Sequence, residues 1–221
     1  MFNRLLEFLR PHRTIPHVSW SAQHRWQFSW IRILILVLGL SFFGVGEALL
    51  VQSLLGNSPW TVLAQGISFK TNLPLGLVTG LISLAVLFLW IPLRERPGLG
   101  TLFNILVIPI SLQISIAVIP EVDSPFLGLL FALLGIGAIG MGSALYISCL
   151  LGPGPRDGLM TALHHRTGIR VGRVRLSLEA IVFLIGWALG GRIGIGTALF
   201  ALLIGQSIAI SFGVVSRITA K

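Results

Sequence analysis

The sequence predicts an all-α membrane protein of six transmembrane helices, built as two inverted three-span repeats. Three observations predict it. Of 221 residues, 54% are hydrophobic and only 10% charged, where a soluble domain carries about a quarter charged residues. Six apolar stretches are each long enough to cross about 30 Å of hydrocarbon at a helical rise of 1.5 Å per residue. The chain also matches itself at an offset of 96 residues.

Residues 1–30 form a cytoplasmic juxtamembrane segment ahead of the spans. In "FNRLLEFLR" a helix would gather Phe2, Leu5, Leu6 and Leu9 on one face, with Arg4 and Glu7 elsewhere, the pattern of a helix lying on the inner membrane surface. Its apolar part is short, charged and followed by Pro11, which does not match a secretory signal. Trp20, Trp26, Phe28 and Trp30 then approach the first span as an interfacial aromatic belt. The six-span membrane domain covers residues 31–216, with spans at 33–54, 74–92, 99–119, 126–150, 171–189 and 195–215, and a cytoplasmic tail at 217–221. The one cysteine, Cys149, has no internal disulfide partner and reads as a small apolar residue.

The net charge of +9 follows from topology and does not call for nucleic acid. With six spans and an inner N-terminus, the cytoplasmic segments hold Arg4, Arg10, Arg13, Arg25, Arg32, Arg94, Arg96, Arg156, Arg166, Arg170, Arg173, Arg175, Arg217 and Lys221. The outer segments hold Lys70 and Arg192. That imbalance is a strong positive-inside signal, and five or seven spans would scatter the arginines over both faces. The expectation is a multi-pass protein of the bacterial inner membrane with both termini cytoplasmic.

Residues 31–114 lie on 127–210 without a gap, and 25 of the 84 aligned positions are identical, against roughly seven by chance for such a composition. "LGLSFFGVGEALLVQSLLGNSP" meets "LGIGAIGMGSALYISCLLGPGP", and "RPGLGT" meets "RIGIGT". Each unit has a long span, a short broken helix and two more spans. Three crossings is an odd number, so the second unit must enter the membrane from the opposite side. Broken helices in inverted repeats are a recurring architecture of secondary transporters, with sites near the repeat interface.

The candidate site begins at "LGPGPRDGLM", residues 151–160. Pro155 suits a first helical turn, and Gly154 lets the chain turn tightly ahead of a helix at about 155–165. The free N–H groups of that helix, with Arg156, favour an anion. Asp157, also in the first turn, suits the helix dipole and could pair with Arg156 or another arginine. The same residues also serve as ordinary loop punctuation, a cap and a positive-inside arginine. The first-repeat equivalent puts Trp60 and Thr61 where Arg156 and Asp157 stand, so a charged site would be asymmetric and open toward the cytoplasmic half.

Ionisable residues inside spans are functional candidates because burial is costly without a partner. Glu179 lies about 12 Å into the fifth span, one turn beyond Arg175, where an i,i+4 pair forms readily. It reads equally as a structural ion pair and as a proton- or substrate-linked group. Glu47 lies within the first span, where access to water near the outer interface is the simpler reading. In the repeat, Glu47 faces Ser143 and Glu179 faces Ser83. His164, on the short cytoplasmic helix, is a further proton-linked candidate. The substrate-binding set is therefore Arg156, Asp157, Gly154, Pro155, Arg175 and Glu179, and the proton-linked set Glu179, Glu47 and His164. No residue spacing suggests a metal, a cofactor or a catalytic set, so an enzyme is not expected.

"SPWTVLAQG", "RPGLGTLFN", "GPGPRDGLMTALHHRTG" and "IGIGTALFALLIG" together resemble the YczE/YitT-type bacterial integral membrane proteins, from about residue 26 to 212. The resemblance implies a cytoplasmic-membrane protein and no particular substrate. The first-repeat motif of that family reads PWDVLHQG; here Thr61 and Ala64 stand at its Asp and His.

The leading expectation is a transporter or permease for a small molecule, an anion being the class Arg156 would suit. The alternative is a non-transporting accessory protein that docks a membrane or cytoplasmic partner through its basic inner face. The lipid bilayer is the partner both readings share.

Overall fold

A computed structural model describes Pro11 and residues 14–219; the surface helix expected at residues 2–9 lies outside the described residues. The described chain is all helical, with nine helices. These are α1 (Trp30–Gln52), α2 (Pro59–Thr71), α3 (Leu75–Phe88), α4 (Trp90–Leu93) and α5 (Leu99–Val118). After them come α6 (Pro125–Ser148), α7 (Pro155–Thr167), α8 (Val171–Ala188) and α9 (Ile195–Thr219).

Five stretches are long and apolar enough to cross a membrane: α1, α3 with α4, α5, α6 and α9. Helix α8 occupies the remaining expected span at 18 residues, but Arg173, Arg175 and Glu179 set it apart from the others in charge. At 13 residues each, α2 and α7 extend about 20 Å, too short to cross. Both open on a proline at the first position, where the missing N–H costs no intrahelical bond.

The bundle is centred on α1 and α6, whose glycines set the distance between them. A Cβ on Gly46 would lie 2.6 Å from the Gly135 carbonyl oxygen, and a Cβ on Gly142 2.5 Å from that of Gly39. Small residues at such a crossing let two backbones touch, which is how helices associate where lipid removes the hydrophobic drive. Helix α5 flanks α1 and α9 flanks α6. Leu36, Leu40 and Ile108 pack in one layer, and Ile136, Ile139 and Ile204 in the other.

Several turns recur at the 96-residue offset. Non-helical turns with positive φ fall at Leu54 and Leu150, Gly56 and Gly152, Asn72 and Gly168, and Arg94 and Gly190, each pair 96 residues apart. The turn before α7 is held by the start of α5, through Gly100 N–H to the Leu151 oxygen at 2.8 Å. The turn before α2 is held by the start of α9, through Gly196 N–H to the Leu55 oxygen at 2.8 Å.

Trp26, Phe28 and Trp30 are exposed, as an interfacial belt requires. Trp20 instead docks beneath α6, its indole N–H donating to Ser148 Oγ at 3.0 Å. Ala22 N–H donates to the Cys149 oxygen at 3.0 Å, and Arg25 pairs with Glu95 at 2.8 Å. The segment leading into α1 is thus tied to the ends of α6 and α4.

Candidate functional site

A cavity of about 250 Å³ lies among α1, α2, α3, α5, α6, α7, α8 and α9. Residues 96 positions apart line it in pairs. Glu47 and Ser143 both line it, as do Ser83 and Glu179, Trp60 and Arg156, and Ser58 and Gly154. Its apolar wall comes from Phe43 and Ile139 together with Phe200, Ile204 and Ile208.

Glu47 lies deeper than its place near the end of α1 suggested. Only 3% exposed, it is capped by the opening turn of α2. Thr61 Oγ1 donates to Oε2 at 2.6 Å, and Ser58 Oγ lies 3.0 Å from both carboxylate oxygens. The α1–α6 glycine crossing draws α1 inward and turns this face away from water. Hydroxyl donors of this kind are what a buried carboxylate needs.

Arg156, the second residue of α7, rests on the Trp60 ring with its Cζ 5.0 Å from the centroid. Glu47, Asp157 and Glu179 all act on it electrostatically, yet among the described residues it forms no ion pair within 4 Å. Asp157 does not take Arg156 or another arginine; its Oδ2 accepts the Tyr146 hydroxyl at 2.5 Å. Tyr146 reaches it because α6 runs directly into the turn that starts α7. Arg175 and Glu179 form the expected i,i+4 pair, Nε to Oε1 at 2.8 Å.

Gly154 lines the cavity against Asn104, where a Cβ would come within 2.9 Å of the amide nitrogen. Pro155 is structural at this point: its carbonyl accepts the buried Trp90 indole N–H at 3.0 Å, anchoring α7 on α4. His164 lies elsewhere, about 13 Å further along α7, with Nδ1 2.6 Å from the Ile169 oxygen. The structure therefore gathers Arg156, Asp157, Gly154, Arg175, Glu179 and Glu47 around one cavity and leaves out His164.

Sequence reading missed Tyr146, Trp60 and Asn104. Tyr146 is the only tyrosine in the chain, and its place inside an apolar span was the available signal. The indole N–H of Trp60, 6% exposed, has no hydrogen-bond partner among the described residues. A second cavity of about 370 Å³ lies on the other side of the Tyr146–Asp157 contact, with Arg25, Gly152 and Thr161 in its lining. Tyr146, Ile147 and Asp157 border both cavities.

An all-helical bundle with five stretches long and apolar enough to cross a membrane, around a charged internal cavity, has the character of a polytopic membrane protein. The chain belongs to a family of unknown function, DUF6198, which matches residues 30–212. It is 44% identical over 93% of its length to an uncharacterized protein of Haemophilus influenzae, covering 94% of that protein. It is 32% identical to the uncharacterized membrane protein YczE of Bacillus subtilis, over 85% of each chain. The uncharacterized protein YyaS of Bacillus subtilis is 28% identical, over 81% of this chain and 92% of that one. No solved structure matches.

Proposed function

We propose that the chain is a small-molecule permease of the bacterial cytoplasmic membrane, with six spans, two inverted repeats and both termini cytoplasmic. Its ligand carries an anionic group that binds at Arg156. One observation carries this reading: an arginine without an ion pair stands in a cavity lined by corresponding residues of the two halves. A guanidinium kept in place by an aromatic face, with its donors uncommitted, suits an incoming carboxylate or phosphate.

The inverted arrangement is supported by the 96-residue spacing of the four pairs of positive-φ turns and by the reciprocal clasps at Leu55 and Leu151. Helix α8 serves as the sixth span despite its charge, because Arg175 and Glu179 are paired with each other and face the cavity. Transporter sites assembled at the junction of inverted repeats, beside short helices, use the same elements.

The test is thermal unfolding of the purified protein against a panel of metabolites, inorganic anions and lipids. A ligand stabilises the native state it binds in proportion to the logarithm of its concentration over Kd. A ligand that raises the Tm of the wild type but not of Arg156→Ala or Glu179→Gln supports the reading. A normally folded Arg156→Ala protein that keeps every shift seen with the wild type contradicts it.

A further inference from the structure

The two halves differ in one seam. Helix α3 packs along α5: a Cβ on Gly76 would lie 2.5 Å from the Pro109 oxygen, and Gly76 N–H donates to Gln113 Oε1 at 2.9 Å. At the corresponding seam of the second half, α8 and α9 make no comparable contact. A Cβ on Gly172 or on Gly205, the counterparts of Gly76 and Pro109, would meet nothing within 4 Å. Leu176, opposite Gly80 in the alignment, is 69% exposed.

The side chains inside the two seams differ accordingly. Thr79 and Ser83 are buried in the closed one. Their counterparts Arg175 and Glu179 stand in the open one, with side chains 43% and 22% exposed. Both helices that border this gap line the cavity, α8 through Arg175 and Glu179 and α9 through Phe200, Ile204 and Ile208.

We infer that the α8–α9 seam is a lateral entrance through which a single-chain lipid-like amphiphile with a zwitterionic head reaches the cavity. This rests on the permease reading, which places both helices in the bilayer. An ion arriving from water would have to shed its hydration to cross the hydrocarbon outside the seam. An amphiphile avoids that cost, because its chain stays in hydrocarbon beside exposed Leu176 while its head enters among the charges.

The head group follows from those charges. Three carboxylates (Glu47, Asp157 and Glu179) and two guanidiniums (Arg156 and Arg175) line the cavity. With Arg175 and Glu179 paired, one uncommitted guanidinium and two carboxylates remain. An anionic group on Arg156 together with a cationic group toward Glu47 or Asp157 satisfies both signs, whereas a purely anionic head would add to the carboxylate surplus.

The probe is lysophosphatidylethanolamine carrying a photoreactive group on its acyl chain, added to the full-length protein in lipid nanodiscs. Cross-links mapped by mass spectrometry are expected at residues 176–183 and 200–208. Excess unlabelled probe should compete at least tenfold better than lysophosphatidic acid, and soluble phosphoethanolamine should not compete. Gly205→Trp, which fills the seam, and Arg156→Ala should each reduce the yield at least tenfold, and Gly205→Leu should reduce it in a protein of wild-type Tm.

Labelling spread evenly over outward positions such as Leu34, Leu106 and Ile110 would overturn the inference. So would labelling at the wild-type level in both Gly205→Trp and Gly205→Leu, or a seam closed to the probe by a second copy of the chain. If soluble ligands still stabilise the wild type and not Arg156→Ala while the seam stays unlabelled, the permease reading survives and the lateral entrance falls.

Discussion

Arg156 lies with its Cζ 5.0 Å from the centroid of the Trp60 ring, and the two residues occupy the same place in the two halves, 96 positions apart. The second residue of each short helix thus meets the other across the cavity. A cation over an aromatic face contributes about 0.5–2 kcal/mol, the more so when desolvated. A double-mutant cycle of Trp60→Ala and Arg156→Ala, read by thermal unfolding in detergent, should give a coupling in that range. Trp60→Phe should keep at least half of it, and a coupling near zero would mean that the stacking contributes nothing.

Glu47 should matter more for stability than its neighbours. Removing it strands the Thr61 and Ser58 hydroxyls in a buried site and takes a negative charge away from Arg156. Glu47→Ala is expected to cost about 2–3 kcal/mol, in the range for a buried charge-assisted contact. Glu47→Gln, which keeps the shape and one acceptor oxygen, should cost less than half of that. Equal losses in the two variants would show that volume, not the acceptor set, is what the site requires.

The α1–α6 crossing supplies its own control. Gly46→Val and Gly135→Val each force a side chain into a backbone contact and should destabilise by about 1–3 kcal/mol. Gly137 sits on the same helix as Gly135, but a Cβ there meets nothing within 4 Å. Gly137→Val should change stability by no more than about 0.5 kcal/mol. Chemical denaturation of the three variants in one detergent separates these cases.

Tyr146 and Asp157 border both cavities, and the Tyr146 hydroxyl joins them; if this contact is the barrier between the cavities, breaking it should open one to the other. Tyr146→Phe removes the donor while keeping the ring. In a Cys149→Ser background, a cysteine at Ser143 should then react several-fold faster with a membrane-impermeant thiol reagent. An unchanged rate would place the barrier elsewhere.

Much of this arrangement could be read from the chain, and the rest depended on geometry that one-dimensional spacing does not encode. The turns of the two halves, the helix opening at Pro155 and the Arg175–Glu179 pair are local, set by proline, glycine and helical spacing. Glu47 was harder, because position along a span fixes depth but not the direction in which a side chain points. That direction comes from the α1–α6 glycine crossing and from the donors on α2. Asp157 took the Tyr146 hydroxyl because of how α6 meets α7, a contact across 11 residues and a turn. The repeat alignment marks the α8–α9 seam only by substitutions, Arg175, Leu176 and Glu179 standing where Thr79, Gly80 and Ser83 do, and these do not show that the helices part there.

The proposal rests on the two halves entering the membrane from opposite sides, and cysteine labelling tests that directly. Thr71 and Thr167 end the two short helices, correspond at the 96-residue offset and are exposed. They also avoid the left-handed positions that follow them at Asn72 and Gly168. In sealed, oriented vesicles of the Cys149→Ser protein, Thr71→Cys should react with an impermeant reagent from the outer face only and Thr167→Cys from the cytoplasmic face only. Labelling of both from one face would contradict the inverted architecture and, with it, the site at its centre.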